Sequence, residues 1–200
     1  MELIIDGNKQ LINVSNIGTF KHFYEKLSLG VSNEERVISE IAINGKVMEE
    51  GSQFEYFSKS MEEIDFVSIK TILKKTLIEE NISGLKDHIS NIVDNIDKSS
   101  DAFRMDDEFN SHKYFAAVIE GMRWFNYSIN LIVSLKKIDF ESFAFLDSTL
   151  SNQLDKLELT LNTLEDAQAN KDNIAISDIL EYELKEILLN WQENLDEFRK

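Results

Sequence analysis

From Ile78 to Ile96 the chain reads IEENISGLKDHISNIVDNI, with apolar residues at 78, 82, 85, 89, 92 and 96. Steps of four and three residues give a helix with one apolar seam. A single helix cannot cover its own seam, and three later segments repeat the period. The first helix is expected from Ser68 or Ile69 to Ile96, with Gly84 inside it. That glycine costs about 1 kcal/mol relative to alanine. It either admits a neighbouring helix or is a tolerated surface glycine. Asp97 to Asp107 is polar and breaks the pattern. A second helix begins near Glu108 or Ser111, and Phe115, Val118, Ile119, Met122, Phe125, Ile129 and Ile132 form its stripe. A third segment starts at Asp139, with Phe140, Phe143 and Phe145, and continues as a leucine stripe to Leu164. Gln168 to Asn173 reads as a loop, Asp172 or Ser177 as the cap of the last helix, and Leu180 to Phe198 as its buried face. Residues 69–200 are therefore predicted to form an antiparallel four-helix bundle. The stripe from Leu150 to Leu164 serves a bundle core or a dimerising coiled coil.

Residues 1–68 follow a different rhythm. Glu2 to Ile5 is a short apolar run, Asp6-Gly7 is a tight-turn dipeptide, and Gln10 to Val14 returns as a second strand. Phe20, Phe23, Tyr24 and Leu27 share a helical face, and Gly30 is a stop signal. Arg36 to Ile43 reads as a strand, Asn44-Gly45 as a hairpin turn, and Lys46 to Met48 as a short strand. Glu49 to Glu62 is a looser stretch with one short helical turn, and Asp65 to Ile69 alternates as a last strand.

This order resembles the beta-grasp, or ubiquitin-like, fold over about a third of the chain. The run IAINGKVMEEGSQFEYFSKSMEEIDFVSI, from Ile41 to Ile69, carries the resemblance, with Gly45-Lys46 and the Glu50-Gly51 turn in the matching places. The resemblance implies a recognition or scaffold domain. Ubiquitin-like modifiers and sulfur carriers end in a free diglycine, and this sequence has none. Conjugation and sulfur transfer are not expected. The expected class is α+β: a beta-grasp-like domain over 1–68 followed by an acidic antiparallel four-helix bundle over 69–200.

Charge narrows the partners. The chain of 200 residues carries 37 acidic and 21 basic side chains, and from Glu141 onward 14 acids face 5 bases. Such a field repels phosphate backbones and anionic lipid, so neither nucleic acid nor membrane is an expected partner. A basic protein face suits it. No cysteine is present, which removes disulfides, thiolate nucleophiles and cysteine-bound zinc. No run approaches the length of a spanning helix and the start does not read as a secretion signal, so a cytoplasmic location is expected.

Catalytic constellations do not emerge. His22, His88 and His112 lack the spacing of a carboxylate-bridged or His-Glu-x-x-His metal site. Asp97, Ser99, Asp101 and Glu108 have the oxygen-ligand spacing of a calcium loop, but Ala102 stands where that loop needs glycine. A solvated acidic loop is the expectation there. No phosphate loop or nucleophile elbow exists. No catalytic residue, cofactor or metal is assigned.

Trp124 and Tyr127 lie beside the second stripe, and Glu181, Glu183 and Glu186 lie on the last helix. These five are the candidate partner contacts, with Glu183 and Glu186 closer to the apolar seam. The expected function is a non-catalytic adaptor, regulator or chaperone-like factor for a basic protein surface. The alternatives are a structural homodimer through the bundle, and a small-molecule binder or enzyme with a site between sheet and bundle near His112, Tyr114 or Tyr127.

Overall fold

The computed structural model describes residues 1–49 and 53–200. The chain is mixed α+β, an N-terminal sheet followed by helices, and it divides into two compact units, Met1–Leu77 and Ile78–Lys200.

In the first unit, β1 (Glu2–Ile5) and β2 (Asn8–Leu11) are joined by Asp6-Gly7, and β3 (Arg36–Ile43) and β4 (Lys46–Val47) by Asn44-Gly45. All four turn residues have positive φ, at 49° and 84° in the first turn and 49° and 83° in the second. Two consecutive positive φ values make the twist of a two-residue hairpin match that of its strands. The second strand starts and ends earlier than the expected Gln10–Val14, because this turn is only two residues long. α1 (Phe20–Asn33) runs through Gly30 and stops three residues later. α2 (Gln53–Phe57) supplies the short helical turn expected between Glu49 and Glu62, and a 3₁₀ turn spans Met61–Glu63. The expected Glu50-Gly51 turn lies outside the described residues.

β5 (Phe66–Leu73) completes a five-stranded sheet among the described residues, in the order β2-β1-β5-β3-β4. β1 and β5 are parallel, and the other neighbours antiparallel. Leu3, Ile41, Ile43, Val67 and Ile69 bury one face of the sheet with Phe20 and Phe23 of α1. The strand outruns its expected end at Ile69, since its register with β3 continues to Leu73 opposite Arg36. A helix therefore cannot begin at residues 68–69, and α3 starts at Lys74.

Side chains of the two turns tie the hairpins to β5. Asp6 accepts from the Thr71 amide at 2.7 Å and the Thr71 hydroxyl at 2.6 Å. Asn44 accepts from the amides of Asp65 and Phe66 at 2.9 and 3.1 Å. The Thr71 bonds, aided by Arg36, hold the Asp6 carboxyl below the ordinary carboxylate range.

In the second unit, α3 (Lys74–Arg104) turns over Met105–Asp107 into α4 (Glu108–Lys136). The expected break at Asp97 does not occur. Ser99, Ser100, Ala102 and Phe103 are buried there, and the serines are satisfied across helix pairs. The Ser99 hydroxyl donates to the Ser111 carbonyl at 3.2 Å, and that of Ser100 to the Ser177 carbonyl at 2.9 Å. The segment from Asp139 is not helical at its start. Phe143 and Phe145 are two residues apart, a strand period; Phe143 precedes and Phe145 belongs to the short hairpin of β6 (Ala144–Phe145) and β7 (Ser148–Thr149). They pack on Phe198 at 5.3 and 5.1 Å, and Phe145 on Trp191 at 4.6 Å between ring centroids. α5 (Leu150–Ala169) follows, then α6 (Asn173–Asp178) capped by Asp172, a π-helical turn (Ile179–Leu184), α7 (Lys185–Asn194) and a 3₁₀ turn (Leu195–Arg199).

The seam Ile82, Leu85, Ile89, Ile92 and Ile96 is fully buried. Its partners identify its neighbours. Residues 86, 97, 100 and 104 of α3 bond to residues 196, 185, 177 and 178, so α3 is antiparallel to the α6–α7 segment. Toward α4, His88 bonds the Gly121 carbonyl at 3.0 Å and Ser99 the Ser111 carbonyl, again in reverse order. Gly121, not Gly84, is the glycine that a close approach requires. A methyl on Gly121 would stand 2.6 Å from Ile92 Cγ1, whereas one on Gly84 would meet only the edge of Trp124 at 3.9 Å.

Two predictions follow from these contacts. Gly84→Ala should stabilise the helical unit by about 1 kcal/mol through helix propensity. Gly121→Ala should destabilise it by about 1 kcal/mol, because overpacking against buried Ile92 outweighs the same gain; urea unfolding monitored by circular dichroism reads both. For Asp6, a folded pKa below the unfolded one means its stabilisation is present above the unfolded value and is lost as pH falls through the folded one. Thr71→Val should raise the Asp6 carboxyl pKa toward the usual 3.8, a change that carboxyl-carbon NMR titration reads directly.

Candidate functional site

The five sequence-derived contact residues do not form one site. Trp124 lies on the α3 side of α4, its ring 4.3 Å from that of His88, and is 39% exposed. Tyr127 is 57% exposed, one turn further along α4. Glu181 is half-buried on the π turn, where it pairs with Arg104, which also reaches Asp178 at 3.3 Å. The Arg104 guanidinium lies over the Tyr182 ring and is held protonated more firmly than usual, chiefly by its hydrogen bond to Glu181. Glu183 and Glu186 are exposed and line a cleft of 240 Å³ with Lys156, Thr160 and Asn190. The order of risk is therefore reversed from the sequence reading. Glu181, not its neighbours, is committed to an internal contact.

The calcium-like spacing does not survive either. Asp97, Ser99 and Asp101 lie within α3, Ser99 is buried, and Asp97 accepts from Lys185 at 2.6 Å. Ligands on successive turns of a rigid helix cannot wrap one ion. Among the described residues no group of three or more His, Asp or Glu side chains is placed to hold a metal ion. No helix among them is long and apolar enough to cross a membrane.

A concavity of 820 Å³ lies between α4 and α5. Phe115, Ile119 and Met122 of α4 and Leu161 and Leu164 of α5 line it with apolar groups. These positions repeat the helical period on each element, so the floor is the rim of the core stripe itself. Its polar borders are His112, Glu120, Arg123, Asn126, Glu165 and Gln168. Arg123 donates to Glu120 at 3.2 Å, whereas Glu165 has no ion pair among the described residues. Among the described residues no hydrogen bond or ion pair joins α4 to α5, while α3 is bonded to both of its neighbours. A volume of this size falls in the range of ligand sites, and its lining is mainly apolar. Sequence reading placed Phe115, Ile119 and Met122 in the core. Which flank of α4 meets α5 is not encoded in its own periodicity.

A family model described as a domain of unknown function (DUF8042) matches residues 80–194, more than half of the chain. The chain belongs to the DUF8042 family. No curated protein and no solved structure matches it. The DUF8042 match begins inside α3 and ends with α7, so it contains both walls of the furrow.

Glu183→Lys and Glu186→Lys in this DUF8042 region should change stability by less than about 0.5 kcal/mol, as exposed substitutions do. Glu181→Lys should lower the melting temperature, because it sets a second cation against Arg104. Differential scanning calorimetry of the three single variants tests the distinction.

Proposed function

We propose that the chain is a non-catalytic protein-interaction module. A beta-grasp-like recognition domain precedes an antiparallel four-helix bundle, and the bundle receives a basic face of a protein partner. The strand order, with its parallel β1–β5 pair and α1 against the sheet, supports the beta-grasp reading. The reversed order of contacts between α3 and each of its neighbours supports the bundle.

One observation carries the functional reading. An open apolar furrow sits on a strongly acidic unit, with Glu120 on one wall and Glu165 on the other. Apolar contact area supplies affinity, and opposite charge speeds encounter. α5 adds Asp155, Glu158 and Asp166, all exposed and without ion pairs among the described residues. Catalysis would need a nucleophile, an acid–base pair or a metal set converging on a pocket, and the furrow's polar border offers none of these in a bonded arrangement.

The test starts from a photocrosslinking residue at exposed position 116, used in the native cell to recover the partner. Association rates of the purified pair are then measured at low and high salt. The rate constant should fall as salt rises, since surface fields decay within about 8 Å at physiological ionic strength. It should fall further for Glu120→Lys/Glu165→Lys. A rate indifferent to both changes would reduce the acidic face to a solubilising role and reject the reading.

A further inference from the structure

The shape of the furrow selects its occupant. Along α4 its lining runs from His112 to Asn126, and along α5 from Leu161 to Gln168. At 1.5 Å per residue the α4 wall is roughly 21 Å long, about four helical turns, and the α5 wall roughly 10 Å, about two. Such an open channel suits an elongated guest.

Backbone chemistry excludes an extended one. Both walls are α-helices, whose central N–H and C=O groups are consumed in their own hydrogen bonds. A strand laid on the apolar floor would find no ladder and would bury unpaired amides. A helix brings its backbone already satisfied and needs only an apolar stripe, which the residues of the floor match in period.

Charge then separates a foreign helix from a second copy. Glu165 is unpaired among the described residues, and the one cation of the border, Arg123, is already bonded to Glu120. The chain carries a formal net charge of −16. A second copy would bring carboxylates against carboxylates, whereas a lysine or arginine flanking an apolar stripe would meet Glu165, beside the mutually neutralised Glu120–Arg123 pair.

We propose that the α4–α5 furrow is a receptor for one amphipathic α-helix of a protein partner, lying along α4 for three to four turns and against α5 for about two, its apolar stripe facing down and basic residues on its flanks. This rests on the reading above that the bundle binds a basic protein face, and it names the form that face takes. The occupant would pack beside α4 and α5 with Phe115, Ile119, Met122, Leu161 and Leu164 beneath it.

The experiment uses the purified full chain and a fluorescein-labelled synthetic peptide of about sixteen residues, leucine at alternating steps of four and three and lysine at the rest, long enough to span the four turns. The control peptide has the same composition in scrambled order. Fluorescence anisotropy should give a dissociation constant at least tenfold tighter for the patterned peptide. Ala116→Trp, which fills the furrow from an exposed position, should weaken it at least tenfold while circular dichroism stays unchanged. Glu120→Lys/Glu165→Lys should weaken it and flatten its salt dependence. Equal binding of both peptides, or indifference to Ala116→Trp, would overturn the helix receptor while leaving a charge-driven partner elsewhere on the unit intact. No binding of either peptide would also overturn it, and the salt and charge-reversal kinetics of the crosslinked partner would still judge the broader reading separately. A dimer in light scattering that Ala116→Trp dissolves would assign the furrow to a second copy and overturn it as well.

Discussion

The helical unit depends on keeping water from the apolar seam of α3. Five large aliphatic side chains from Ile82 to Ile96 are fully buried along it, each contributing roughly 1.5–3 kcal/mol relative to exposure. Covering that seam requires two helices to approach closely, and the residues at the contacts are small. Gly121 leaves room for Ile92. Ser99, Ser100, Ser111 and Ser177 are buried with their hydroxyls bonded. Buried hydroxyls cost stability unless paired, so these bonds also fix the axial register of α3 against α4 and α6. α5 is outside that arrangement. It is held by the core at its inner face, by the hairpin before it and by close packing on α6 and the π turn, and its seam with α4 has no polar bond among the described residues. The furrow lies on the α4 flank of α5, where no polar bond ties the two helices among the described residues.

The parts of the fold legible in the sequence were those with one dominant local signal. Asp6-Gly7 and Asn44-Gly45 marked two-residue hairpins because few other residues accept consecutive positive φ values. The apolar periods of α4 and of the last helix marked buried faces that are buried, from Phe115 to Ile132 and from Leu180 to Phe198. The sequence misleads where a polar residue is buried. Asp97 to Arg104 looks like a loop only if serine is assumed to face water. The register of β5 against β3 displaced the helix start from 68–69 to Lys74, a long-range effect that no local window contains. Phe143 and Phe145 are ambiguous for the same reason, since apolar clusters alone do not distinguish a strand period from a helix start. The π turn at Ile179–Leu184 shifts the helical phase by an added residue without leaving a recognisable sequence mark.

The candidate site was less legible than the fold. Trp124 and Tyr127 stand out in the sequence as aromatic side chains beside a stripe, and they are partly exposed. The furrow is on another flank of the same helix. Periodicity identifies a face as apolar but does not say whether its edge is covered by a neighbour. That property belongs to pairs of helices. The same limit explains Glu181, whose partner Arg104 is 77 positions earlier on α3 and becomes its neighbour only through the antiparallel packing.

Those pairings also redistribute the charge. Composition places the acidic excess over both of the last helices, but the bases of the unit are spent unevenly. Lys86, Arg104, Lys185 and Arg199 all pair across the seam between α3 and the C-terminal segment, with Asp196, Asp178, Glu181, Asp97 and Glu79. Exposed pairs of this kind add little stability, but they neutralise the field locally. α5 has no such compensation, because Asp155, Glu158, Glu165 and Asp166 have only Lys156 on the same helix and no ion pair among the described residues. The unneutralised field is therefore carried by α5, one wall of the furrow, as well as by Glu183, Glu186 and Glu193 of the C-terminal segment. A basic partner drawn to α5 by that field would arrive beside the apolar floor of the furrow, where contact area can convert an encounter into a complex.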